Sequence, residues 1–98
     1  MYYILEGKTP IKVDDVVLWA QHSSENYKSR IVNNTNIGDA RVSTIFLGVD
    51  HNHYAGGEPV LFETMVFGGE HDMYMRRYCT WDEAEKGHHE TCAMVVNS

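Results

Sequence analysis

The spacing of apolar positions changes character along this chain. Near the N-terminus, "YYIL" and "IKV" stand on either side of the turn "EGKTP", a pattern that predicts a short hairpin or an extended arm. Residues 14–25, "DDVVLWAQHSSE", open on two acids suited to the positive end of a helix. Val16, Val17, Trp19, Ala20 and Ser23 then form a loose apolar stripe, which predicts a helix. From residue 27 the period shortens. "YKSRIVNNT", "ARVSTIFLGV", "PVLFETMVFG" and "DMYMRRYC" are each rich in β-branched or aromatic residues and are separated by Gly, Asn, Asp or Pro clusters, which predicts four consecutive antiparallel strands. In the third of these, Val60, Phe62, Thr64 and Val66 share one face, while Leu61, Glu63, Met65 and Phe67 share the other. Both faces carry bulk, so a central position is expected.

The final element has the clearest local chemistry. Thr80 lies three residues before Glu83 in "TWDE", the spacing at which each side chain can satisfy a free backbone N–H of the other. A helix is predicted from Trp81 to about Val96, with Trp81, Ala84, His88, Cys92 and Val95 as the stripe it lays against the sheet. The expectation is one α+β domain over residues 1–98. A four-stranded antiparallel meander would be flanked by an N-terminal and a C-terminal helix, both packed on one sheet face. The other face, with Leu61, Met65 and Phe67, then needs cover, and a homodimer through the sheet face or edge is the simplest source. Trp19, Tyr54, Tyr74 and Tyr78 are candidate aromatic anchors for a partner.

Composition narrows the classes. A chain of 98 residues supplies one core and not two, and 43% hydrophobic with 22% charged residues excludes global disorder. No apolar run reaches the roughly 18 to 20 residues of a membrane span, and "MYYILEGKTP" lacks a basic segment followed by a long apolar one, so a soluble, unexported chain is expected. Cys79 and Cys92 are expected to be free thiols. The formal charge of −6, with Arg76 and Arg77 as the only basic pair, opposes direct binding of nucleic acid. The fourteen carboxylates are spread along the chain and do not form the block that a nucleic-acid mimic would show.

One stretch invites a chemical reading. "DHNHYAGGEPVLFETMVFGGEH" supplies Asp50, His51 and His53 at a strand end, and His88 and Cys92 are four apart on the last helix. If the loop folds over that helix, His51, His88 and Cys92 converge as metal ligands. The competing expectation is structural: Asp50 and His51 bond neighbouring backbone and His88, fixing the loop 50–58. The adjacent residues His51-Asn52-His53 do not reproduce the HNH nuclease geometry, in which the named residues are separated along a ββα unit. Glu63 is expected to face outward and pair with Arg76 or Arg77. The alternative is a small-molecule- or nucleotide-binding protein whose homo-oligomer interface forms a pocket around His51, Glu63 and His88, and a third reading makes Glu63 a catalytic acid beside His51 and His88. No nucleophile elbow, phosphate-cradling loop or paired-carboxylate motif is present, and no cofactor is expected.

Three blocks carry a resemblance. "VSTIFLGVDH" (42–51), "PVLFETMVFGG" (59–69) and "RYCTWDEAEKGH" (77–88) resemble, in order, a family of small uncharacterised proteins of tailed phages and prophages. The likeness covers about the C-terminal 57 residues, with Cys79 in place of the usual serine and Val49 in place of the usual leucine; residues 1–41 match loosely. The resemblance implies a gene product made in the cytoplasm of an infected cell. It implies no chemistry, and a stoichiometric role, binding a host or defence protein, is the expectation that accompanies it.

Overall fold

The computed structural model describes residues 1–25, 27–52 and 56–98. Strands β1 (Tyr2–Glu6) and β2 (Thr9–Val13) form an antiparallel hairpin with Leu5 opposite Pro10. Helix α1 (Val16–Glu25) and a 3-10 turn (Tyr27–Arg30) lead into a second sheet of β3 (Ile31–Ile37), β4 (Ala40–Phe46), β5 (Phe62–Phe67) and β6 (Met75–Tyr78). Its order, β3-β4-β5-β6, is that of the antiparallel meander predicted from the periodicity. Helix α2 (Trp81–Val96) closes the chain.

Local chemistry sets the helix starts. At α2, Thr80 Oγ1 accepts from Glu83 N at 3.1 Å, while the Glu83 carboxylate accepts from Thr80 N at 3.1 Å, so the reciprocal cap read from "TWDE" is formed. At α1, the Asp15 carboxylate accepts from Val17 N and Leu18 N at 2.9 and 3.2 Å, which starts the helix at Val16, two residues after the first of the two acids. The segment "YKSR", expected as strand, is instead the 3-10 turn, and extended backbone begins only at Ile31.

The register sorts side chains into two layers. Phe46, Phe62 and Tyr78 form one cross-strand row; Asn33, Thr44, Thr64 and Arg76 form the next; Thr35, Val42 and Val66 follow. These rows lie on the side covered by α2, where Phe46, Phe62, Val42 and Val66 are almost fully buried together with Ala84 of the helix. The opposite side carries Ile31, Ile45, Glu63 and Arg77 in one row, Ser43, Met65 and Met75 in the next, and Arg41 with Phe67 at the end. Leu61, expected on that side, precedes β5 and is buried with Phe46 and Phe62.

The two helices do not share a sheet face. Helix α2 packs on all four strands of the meander, whereas α1 packs on β1, β2 and the 3-10 turn. No residue of α1 is buried. Its Trp19 is half-buried: the ring lies 4.8 Å from that of Tyr2, and Nε1 donates to the Gly48 carbonyl at 3.0 Å. The hairpin reaches the main core through Leu5, and it is tied to the chain after β4 by Tyr3 N donating to Gly48 O and Asp50 N to Met1 O.

Candidate functional site

One buried polar feature lies between α2 and the sheet. His88 is fully buried, with Nδ1 2.7 Å from Thr44 Oγ1 and Nε2 2.9 Å from Thr35 Oγ1. Thr44 Oγ1 lies 2.6 Å from Thr64 Oγ1, which accepts from the Tyr78 hydroxyl at 3.0 Å. Tyr78, Thr64, Thr44, His88 and Thr35 thus form one continuous hydrogen-bonded chain, with a threonine hydroxyl on each ring nitrogen of the imidazole. Burial, and next the neighbouring His89, hold its pKa below the ordinary histidine value.

Gly87 makes this packing possible. A Cβ at that position would fall within the Tyr78 ring, so the glycine provides a notch for the phenol. One turn on, Thr91 Oγ1 donates to the Gly87 carbonyl at 2.8 Å, which satisfies its hydroxyl inside the helix. The five side chains run in one line past a fully buried imidazole, an arrangement that suits specification of helix position.

The remaining residues singled out in the sequence are distributed elsewhere. Asp50 Oδ1 accepts from Asn52 N at 2.8 Å and from Val60 N at 2.9 Å, and these bonds bring its carboxyl below the usual range despite some desolvation. His51 Nδ1 lies 2.8 Å from the Val49 carbonyl, and His51 N donates to Val60 O. Both residues thus clamp the ends of the loop through backbone. The expected bond from this clamp to His88 is not formed, because both ring nitrogens of His88 face threonine hydroxyls from the sheet. Glu63 Oε2 accepts from Arg77 Nε at 3.0 Å on the face away from α2. Glu63 and His88 therefore lie on opposite sides of the sheet within one chain. His53 and Tyr54 lie outside the described residues.

Among the described residues, no three His, Cys, Asp or Glu side chains come together as a metal-binding group. Cys79 and Cys92 are both free and half-buried, and burial, followed by Glu83, raises the Cys79 thiol pKa. Cys92 packs beside Val42, Val66 and Val95. Tyr78, a candidate anchor for a partner, is instead a buried member of the hydroxyl chain, and Trp19 is engaged by Tyr2 and Gly48. Met65 is half-buried, whereas Phe67 and Tyr74 remain exposed. The sequence reading missed Thr35, Thr44, Thr64 and Gly87. Thr44 and Thr64 carried a signal, since each is a polar residue alternating in phase with buried Val42, Phe46, Phe62 and Val66.

No family model, curated protein or solved structure matches this chain. Among the described residues, no helix is long and apolar enough to cross a membrane.

Proposed function

We infer that this chain acts by stoichiometric binding of a protein, through the sheet face that α2 leaves uncovered. The observation that supports the reading is the composition of that face. Ile31, Phe67 and Met75 are 40%, 38% and 42% exposed, Ile45 and Met65 lie between them, and the Glu63–Arg77 ion pair ends the row that Ile31 and Ile45 begin. A contiguous apolar surface rimmed by charge has the make-up of a recognition surface. Arg41, stacked 4.6 Å from the Phe67 ring centre, adds a cation at its edge. The resemblance to phage-encoded proteins supports a host or defence protein as the partner, and a second copy of the chain is the competing occupant.

Affinity capture from host lysate with the wild type, Met65→Glu and Val17→Glu tests the reading. A partner retained in equimolar amount by the wild type and Val17→Glu, and lost on Met65→Glu, is expected. Identical capture by all three removes the face from the mechanism. Light scattering on the same proteins separates the occupants: a wild-type dimer that Met65→Glu converts to monomer assigns the face to self-association.

A further inference from the structure

Arg30 is the side chain that the fold leaves least accounted for. It sits in the 3-10 turn before β3, where its Nε donates to Phe46 O at 3.2 Å and its Nη2 to Leu47 O at 2.9 Å. These two bonds occupy the side-on edge of the guanidinium and fix its plane against the end of β4. A guanidinium has five N–H donors. The edge formed by Nη1 and the second Nη2 hydrogen has no acceptor among the described residues, and no carboxylate lies against it. Burial lowers the Arg30 pKa, and no acid compensates. A half-buried cation without a counter-ion is costly, and such a group is retained where something else supplies the charge.

The surroundings define what that something is. Arg30 lines a half-open cavity of about 220 Å³ together with Tyr27, Ile31, Ile45 and Phe46. Apart from Arg30 and the tyrosine hydroxyl, the walls are the side chains of Ile31, Ile45 and Tyr27, with Phe46 at the strand end where its carbonyl meets Arg30. A benzene-sized apolar cavity measures about 150 Å³, so this space suits a single ring or branched alkyl group with one small polar substituent. The geometry points to a binding site for a compact apolar monocarboxylate. Its carboxylate meets the free end-on edge of Arg30 in a bidentate pair, and its apolar body lies between Tyr27, Ile31 and Ile45. Either a free small acid or the C-terminal residue of a peptide offers this chemistry. The cavity shares Ile31 and Ile45 with the proposed docking face, whereas Arg30 and Tyr27 precede the meander and lie outside that face, so Arg30→Lys tests the acid site without altering the docking face.

Methyl and arginine Nε NMR on the full chain tests the assignment. Phenylacetate is titrated against its neutral isostere phenylacetamide, and the tripeptide Gly-Gly-Phe with a free C-terminus against its C-terminal amide. Saturable shifts of Ile31 and Ile45 methyls and Arg30 Nε are expected with the acids, at concentrations about tenfold lower than with the amides. Arg30→Lys keeps the charge and loses the fork, and it brings acid and amide closer together. Tyr27→Ala, at an exposed position that does not hold the fold, weakens both and preserves their ratio. The tighter of phenylacetate and Gly-Gly-Phe identifies the source of the acid. Equal shifts with acids and amides, or no saturable shift with either, overturn the site.

Discussion

Helix α2 and helix α1 solve the same problem with opposite means. The first buries Ala84, Gly87, His88, Thr91 and Val95, so its inner face mixes small and apolar residues with two polar ones whose hydrogen bonds are made. The second carries Val16, Val17 and Leu18, each about half exposed or more, and buries nothing. Apolar content alone therefore predicts the wrong helix as the anchored one. What separates them is whether the facing surface offers complementary groups. The meander presents threonine hydroxyls and a phenol to α2; the hairpin presents only Tyr2 and nearby backbone to α1. An isolated helix of ten residues is marginal in water, so α1 depends on Asp15 and Trp19 to a degree that α2 depends on no single contact.

His88→Ala breaks the comparison most severely. It opens a cavity and strands the Thr35 and Thr44 hydroxyls, with an expected loss of about 4 kcal/mol in urea unfolding. By contrast Val17→Ser on α1 should change stability by less than about 0.5 kcal/mol. A smaller loss at His88 than at Val17 would reverse the assignment of which helix is anchored.

Gly87→Ala sharpens the same point without removing any hydrogen bond. Its methyl group collides with Tyr78, and the expected cost is about 3 kcal/mol by overpacking, read as a lower midpoint with an unchanged slope. Gly87→Ala combined with Tyr78→Ala should recover part of that loss, since the smaller side chain vacates the notch.

Acid provides a graded version. The folded His88 pKa lies below the unfolded one, so the unfolded chain binds more protons in the interval between them and stability rises with pH there. The contribution is complete above the unfolded value near 6.5 and is lost as pH falls through it toward the folded value, with a slope of at most about 1.4 kcal/mol per pH unit. His88→Asn should flatten the unfolding midpoint between pH 7 and 5. Trp19→Ala gives the smallest global effect, about 1 kcal/mol, but should abolish hydrogen-exchange protection in α1 while α2 keeps its own.

The parts of the fold that were legible depended on neighbours in sequence. The Thr80–Glu83 cap and the alternation through Phe62, Glu63, Thr64 and Met65 are local patterns, and both α2 and β5 follow them. The placement of α1 was not legible, because its stripe of Val16, Val17 and Trp19 states a preference for burial without naming a surface. The candidate site shows the same division. Asp50 and His51 clamp a loop through residues close in sequence, whereas His88 meets Thr35 and Thr44, which are 53 and 44 positions away. In a sequence, a histidine on a helix stripe looks like a ligand waiting for a metal; only the strand register reveals the hydroxyls already facing it.

A rod resting on a pleated floor can in general slide, because greasy contacts are tolerant of small displacements. The indentation at Gly87 removes that freedom. Moved by one position in either direction, the rod would present Lys86 or His88 to the phenol in place of a bare backbone, so the longitudinal setting is indexed by one missing side chain. Any variant that fills the dent is expected to shift the whole helix before it loosens the floor beneath.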